Sequence, residues 1–273
     1  MVQDIRQNQL WLAYCKTKGY KILSIPTKST KTIWGIAIPI GFFGLKMLKI
    51  QRAVVDPDWL ELKRIKRVNR VVSTIIEPQK INSRNNYKKW GYRLSNFPYL
   101  ATKTVVVDLK QTEKDLWHKL SENSKRLVKK NEKLKIREVS GEEFLELWKP
   151  NSKIWTMKLI EMEEIKKVLG DKSKYLVSYL GDEPQSGIIL IETNNTAYYL
   201  HSFTTKEGRK TGAHFKMVWE VLVEEKKRGM SFFDFEGIYD KRWPQKKWLG
   251  FTEFKKKFGG KTITFPGCFH RWF

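Results

Sequence analysis

Side chains able to carry metal or covalent chemistry are few here and poorly spaced for it. The four histidines, His118, His201, His214 and His270, show no ligand spacing and have no cysteine partner, so no metal site is expected. Cys15 and Cys268 stand at opposite ends of the chain, outside any C-x-x-C pair, and read as two reduced thiols of a cytosolic protein. Neither a G-x-S-x-G elbow nor a Cys–His nucleophile pattern is visible. The stretch Arg209-Lys210-Thr211-Gly212-Ala213-His214 approaches the R/Q-x-x-G-x-G/A turn that offers backbone N–H groups to an acyl-CoA pyrophosphate, but it ends in His. What the sequence does supply is cations among aromatics: Trp243, Trp248, Phe251, Phe254 and Phe258 interleave with lysines over 241–261. That mixture suits a surface that meets phosphate and also packs, though it is not a recognised nucleic-acid module.

The cations are in large excess. With 53 Lys+Arg against 29 Asp+Glu, the 273-residue chain carries a formal charge of +24, which steers polyanions toward it. Nucleic acid and anionic lipid headgroups are the two candidate targets; a lysine-rich surface without a partner is the alternative. No helix-turn-helix, zinc-finger or RNP-type motif accompanies the charge. Aromatics at 13% and hydrophobics at 41% exclude a disordered basic tail. Residues 1–21 contain no apolar run of signal-peptide type. The most apolar stretch, 33–45, is too short to span a bilayer and contains Pro39, Gly41 and Gly44. A cytoplasmic location, with peripheral contact at the inner face of an anionic membrane, is therefore expected.

The elements that must position these residues alternate between helix and strand. A short helix over 9–18 ends at Gly19, and a strand over 20–25 precedes a hairpin of 32–38 and 45–51. Asp58 caps a helix to about 67, and the β-branched strand 71–77 stops at Pro78. Residues 82–96 read as a loop, 102–109 as a strand, and 112–134 as one charged helix with Leu116, Leu120, Leu127 and Val128 as its apolar stripe. Helices over 142–148 and 154–169 lead to strands 175–180, 186–192 and 197–203, with turns at Gly181-Asp182 and Asn194-Asn195. A helix over 213–228 ends at Gly229. A strand over 232–235 and a short helical stretch over 250–258 complete the order. The pattern predicts a mixed α/β (α+β) fold in two halves of about 130 residues, mixed sheets covered by helices.

The second half contains Phe233-Asp234-Phe235-Glu236-Gly237-Ile238, then Gly250-Phe251, then Phe254-Lys255-Lys256-Lys257-Phe258-Gly259-Gly260. This order resembles the signature of the Fem-type peptidoglycan-bridge aminoacyltransferases, roughly D-F-x-G, a spacer, G-[ILF] and F-K-x-x-F-G. Trp11 with Gly19 is similar to the family's N-terminal Q-x-x-x-W…G helix, and Ile76-Glu77-Pro78 to its I-[DE]-P strand end. Thr104 to Leu109 followed by Ser124-Lys125 and Val128-Lys129 resembles T-x-x-[LI]-D-L followed by T-R-x-x-I-R, with the basic and hydroxyl positions altered. Tyr198-Tyr199 and Trp219-Glu220 resemble its Y-Y strand and the helix after it. The similarity runs along nearly the whole chain.

The resemblance implies two tandem GNAT-like acyltransferase domains, 1–138 and 139–263, with 264–273 packing back on the first and no coiled-coil arm. It implies transfer of an amino acid from aminoacyl-tRNA, the co-substrate in place of any cofactor, to an amine of a lipid-linked or nucleotide-linked peptidoglycan precursor. Lys255 would hold its ammonium near the donor's terminal phosphate or the oxyanion, and Glu77 would orient or deprotonate the amine. Asp234 and Glu236 are expected to hold the strand-turn geometry. Tyr199 and Phe254 would line the cleft, Lys158 would meet phosphate, and Lys125 and Lys129 would form a track for tRNA or lipid headgroups. Two alternatives stay open: a GNAT-like N-acyltransferase using acyl-CoA or another amine acceptor, and a non-catalytic RNA- or membrane-binding protein on the same fold.

Overall fold

The computed structural model describes residues 4–41, 43–81, 83–151 and 159–272. The chain begins with α1 (Gln9–Thr17), β1 (Lys21–Pro26), β2 (Thr32–Ile40), β3 (Leu45–Gln51), α2 (Trp59–Val68), β4 (Val71–Glu77), α3 (Arg84–Lys89) and β5 (Arg93–Leu94). Then come β6 (Lys103–Asp108), α4 (Glu113–Lys119), α5 (Glu122–Lys130), β7 (Lys135–Glu138), α6 (Gly141–Asn151) and α7 (Leu159–Leu169). The strands β8 (Ser173–Leu180), β9 (Glu183–Thr193) and β10 (Thr196–Thr204) lead into α8 (Lys206–Thr211) and α9 (Ala213–Lys227). The chain ends with β11 (Phe232–Gly237), α10 (Leu249–Lys256), β12 (Lys261–Thr264) and β13 (Phe269–Trp272).

Two compact units result. Unit 1 is Met1–Lys103, Asp240–Pro244 and Thr264–Phe273; unit 2 is Thr104–Tyr239 and Gln245–Ile263. The boundary therefore falls at 103/104, not at 138/139. The reason is hydrogen bonding: β6 pairs antiparallel with β11, so β6, α4, α5 and β7 belong with the second sheet.

Unit 1 is built on a sheet of order β1-β2-β3-β4-β13-β5. Only β3 and β4 run parallel, joined through α2; β13 pairs antiparallel with both β4 and β5, which brings the C-terminal residues into this sheet. Alternation along β2 divides its side chains between two cores. Ile33 and Ala37 join Leu48, Ile50, Trp59 and Leu62, while Ile36 meets Leu12 and Cys15 of α1. Asp58 caps α2 by accepting the N–H groups of Leu60 and Glu61, as expected. Residues 82–96 are not a plain loop: they hold α3, capped by Ser83, and the two-residue strand β5.

Unit 2 has the sheet β12-β6-β11-β10-β9-β8-β7. Along β9, Ile188 and Leu190 face a core with Val105, Val128, Met217 and Phe233, and Ile189 faces another with Phe144, Trp148, Tyr175 and Phe203. The sheet is buried on both faces, by α5 and α9 on one and α6 on the other. The single helix expected over 112–134 is two helices and a turn. Leu120 is extended, and Thr112 and Ser121 each cap a separate helix, the first in a full capping box with Asp115. Asn194 and Asn195, at φ 51° and 60°, make the tight β9–β10 turn that the sequence announces.

Candidate active site

The chemistry-bearing residues of unit 2 gather where its two central strands stop pairing. β10 and β11 are parallel but match over only three pairs, from Thr196–Phe232 to Tyr198–Asp234. Both strands continue beyond that point, and both are irregular there. β10 shifts register against β9 between Tyr199 and His201, and β11 shifts against β6 between Asp234 and Gly237. In the second bulge Glu236 sits at φ 57°, an uncommon conformation for a side chain of its size. It is held there by Asp234, whose Oδ1 accepts the Glu236 N–H at 2.8 Å, and by Thr104, whose hydroxyl donates to the Glu236 carbonyl at 2.7 Å. This is the geometric role expected of Asp234 and Glu236. The carboxyl ends of diverging parallel strands are where open α/β sheets place ligands.

α10 delivers Lys255 to this opening. The helix is tied to the segment after β11 by Thr252, whose Oγ1 accepts the Tyr239 N–H at 2.8 Å and donates to the Trp248 carbonyl at 2.7 Å. Lys255 is 8% exposed, its Nζ donates to the Gly237 carbonyl at 2.8 Å, and it lies 5.0 Å from the Phe251 ring centre and 5.5 Å from that of Tyr199. Burial lowers its pKa to about 8, against the attraction of Glu236 and Asp234. The glycines that end the motif are steric requirements. A Cβ on Gly259 would lie 2.4 Å from that of Lys119, and one on Gly260 would lie 2.6 Å from the Val105 side chain.

The two histidines of this cluster are uncharged at neutral pH. His201 is lowered to about 4 by burial, with Glu236 pulling the other way, and His214 to about 3 by burial. Tyr199 shares a 2.7 Å hydrogen bond with His214 Nε2, and burial raises its phenol well above the ordinary range. Neither histidine emerges from the sequence as a site residue. His201 lies two positions past Tyr199, on the same strand, but only the bulge decides which way it turns.

The other expected site residues fall in different places. Phe254 is half-buried, with its ring 4.8 Å from Phe215, 5.1 Å from His214 and 5.2 Å from Phe258, and packs against the aromatic core of unit 2. Lys125 and Lys129 ride on α5, where the first pairs with Glu122 at 2.7 Å and the second lies 6.0 Å from the Trp117 ring. Their partners are not members of the Lys255 cluster. Lys158 lies outside the described residues. Glu77 belongs to unit 1 and is 2% exposed. Its Oε1 accepts the N–H groups of Tyr99 and Leu100 at 2.8 and 2.7 Å, and its Oε2 accepts Gln51 Nε2 at 2.9 Å. That carboxylate fixes a loop on the end of β4.

The Arg209–His214 stretch is also accounted for. It closes α8, turns through Gly212 at φ +74° and enters α9 beneath α5. There a Cβ on Gly212 would strike Leu127 at 2.8 Å, and Asn131 Nδ2 donates to the Thr211 carbonyl at 3.0 Å. Folded as a helix end under another helix, it is not an open pyrophosphate turn. Among the described residues no group of three or more His, Cys, Asp or Glu is placed to hold a metal, and no helix is long and apolar enough to cross a membrane.

The FemAB family pattern matches residues 149–272. No curated protein matches the sequence. Among solved structures, the crystal structure of FemX is similar at a TM-score of 0.79 and 13% identity, over 100% of this chain and 93% of that one. L-PGS from Bacillus licheniformis is similar at a TM-score of 0.57 and 14% identity, over 99% and 92% of the two chains. A GCN5-related glucosamine N-acetyltransferase region of a fungal multi-domain β-N-acetylglucosaminidase gives 0.54 and 14%, over 98% of this chain and 35% of that one. The fold is that of the GNAT-like acyltransferases, two mixed sheets covered by helices. Residues 149–272 thus carry the FemAB family pattern, and the whole chain shares its fold with FemX.

Proposed function

We propose that this protein is an aminoacyltransferase of peptidoglycan bridge formation, which moves an amino acid from aminoacyl-tRNA to an amine of a precursor stem peptide. The observation that carries the reading is Lys255: a buried ammonium on the F-K-x-x-F-G helix, aimed at the opening between β10 and β11, in a chain whose second half has the FemAB pattern. In the reaction a neutral amine attacks the ester carbonyl. The new C–N bond forms, charge collects on the carbonyl oxygen, and the C–O bond to the ribose breaks as the departing oxygen takes up a proton. The amine gives up its extra proton, so the products are an amide and a free tRNA 3′-terminus.

Ester aminolysis of this kind needs a held geometry and a cation at the oxyanion or at the donor's terminal phosphate. Lys255 supplies the cation, because with a pKa of about 8 it is mostly protonated at pH 7. Tyr199, held by His214, shapes the apolar wall beside it. No bound cofactor is invoked. Lys129, exposed on α5, and Lys125, half-buried beside Glu122, belong to a basic track for the RNA, and the reaction takes place at the cytoplasmic face of the membrane. The decisive experiment is transfer of radiolabelled amino acid from a total charged-tRNA pool to purified precursor, with and without RNase, in the wild type and in Lys255→Ala. Label transfer abolished by RNase and reduced at least 100-fold in the variant is expected. Transfer that survives RNase, or tight CoA binding without an effect of tRNA, would sink the proposal.

A further inference from the structure

We infer that α2 and the β2–β3 turn of unit 1 form a docking face for an anionic lipid bilayer. The inner side of α2 is conventional: Trp59, Leu62 and Lys66 are buried. The outer side is not. Leu60 and Val68 are 69% and 74% exposed, and between and beside them Lys63, Arg64, Arg67 and Arg70 all face solvent. Arg64 is paired with Glu61 on its own helix. Lys63, Arg67 and Arg70 have no ion pair among the described residues. A groove of about 550 Å³ runs along this face from Leu60 to Val71.

A third exposed apolar side chain joins the same surface. Phe43, 83% exposed, sits in the turn between β2 and β3, next to Gly44, whose Cα lies beside the Arg70 guanidinium: a Cβ there would be 3.7 Å from Arg70 Nη1. The turn is fastened to the end of α2. The Lys46 N–H donates to the Arg70 carbonyl at 2.9 Å, and Lys46 Nζ donates to the carbonyls of Gly44 and Asn69 at 3.2 and 3.3 Å. An aromatic tip and two aliphatic side chains are thus set rigidly among guanidinium and ammonium groups. Cations alone would suit any polyanion. Exposed aliphatic groups set among them have nothing to gain from a phosphodiester backbone, but they gain an apolar environment on entering the acyl boundary while the cations stay with the headgroups. That complementarity selects a bilayer over RNA.

The inference bears on the proposed reaction only by favouring a lipid-linked acceptor, and its test needs no transfer assay, so the two readings stand or fall separately. Full-length protein is sedimented with vesicles of phosphatidylcholine, pure or with a third phosphatidylglycerol. Binding to the anionic vesicles only is expected. At about fivefold per basic residue lost, the triple variant Arg64→Gln, Arg67→Gln, Arg70→Gln should bind on the order of 100-fold more weakly. A charge-matched variant on α5 and the turn after it (Arg126→Gln, Lys130→Gln, Lys133→Gln) should bind like wild type. Because Cys15 and Cys268 are buried, Phe43→Cys can carry an environment-sensitive dye, whose emission should rise and shift blue on anionic vesicles. Equal loss in the α5 variant, an unresponsive dye, no vesicle binding, or a triple variant that loses tRNA binding while keeping vesicle binding would each overturn the assignment.

Discussion

Lys255 places a charge where solvation is poor, and replacing it with methionine separates what it does for the fold from the role proposed for it in the reaction. The fall of its pKa from 10.5 to about 8 through burial is equivalent to about 3 kcal/mol against the charged form. Methionine keeps the length of the side chain and removes that charge. It also leaves the Gly237 carbonyl, now bonded to Nζ, without its donor, at a cost of roughly 1–3 kcal/mol. At pH 7 the two effects nearly cancel, so Lys255→Met should be as stable as wild type or up to about 2 kcal/mol more stable.

The sign of the pH dependence follows from linkage. Between pH 8 and 10.5 the unfolded wild-type chain holds a proton on Lys255 that the folded chain has released, so wild-type stability rises with pH through that window. The variant lacks this contribution. The stability difference should therefore move by about 2.5 kcal/mol in favour of wild type between pH 7 and pH 10. Urea unfolding of both proteins at the two pH values measures it, and a transfer assay on the same samples should show the variant at least 100-fold slower. A variant that is destabilised equally at both pH values, with transfer intact, would refute the placement of a functional ammonium at this opening.

Lys255→Arg keeps a cation that does not titrate below pH 12, so the decline in wild-type transfer as pH rises past about 8 should vanish in this variant even if its rate is low; a rate–pH profile reads the difference. Glu77→Gln, which retains acceptors for the Tyr99 and Leu100 amides, should keep transfer within tenfold, whereas Glu77→Ala should lose roughly 2–4 kcal/mol in urea unfolding; a 100-fold or greater loss of kcat in Glu77→Gln would instead make this group the base. Lys125→Gln with Lys129→Gln should weaken tRNA binding and flatten the dependence of log K on log salt by about two counterions. Gly187→Ala would put a methyl 2.2 Å from Phe203 and 2.8 Å from Phe144, so thermal unfolding should show a loss of about 2 kcal/mol or more.

Where local signals are strong and unopposed, the sequence and the structure agree. The β-branched run at Val71–Glu77 is β4 to the residue, Asp58 caps α2, and the Asn-Asn pair makes the β9–β10 turn. The misreadings come from competing signals. The Leu116–Val128 spacing looks like one helical stripe, and it outweighs two cap residues, Thr112 and Ser121, each of which starts a helix of its own. The segment Arg84–Lys89 has too few apolar residues to announce a helix, yet Tyr87 alone anchors it in the core, with its hydroxyl on Asp56 at 2.9 Å. The domain boundary was not readable at all, because it depends on β6 pairing with β11, more than a hundred residues away.

The site shows the same division between what is local and what is not. F-K-x-x-F-G is readable as a pattern, and its phenylalanines and glycines have local packing reasons visible once the fold is known. The property that makes Lys255 different from Lys256 and Lys257 is not local. All three are consecutive, and their types are identical. Only Lys255 faces inward: Lys256 is half-exposed and paired with Glu253 across one helical turn, while Lys257 reaches toward the Phe215 ring at 5.7 Å. The direction of each is set by the phase of α10, which the Thr252 hydroxyl fixes against Tyr239. The lowered pKa then follows from burial under strands distant in sequence. A perturbed ammonium held in place by tertiary contacts, at a strand opening, is the arrangement expected where charge is retained for chemistry at some expense to stability, and that is why the fold, more than the motif, argues for Lys255.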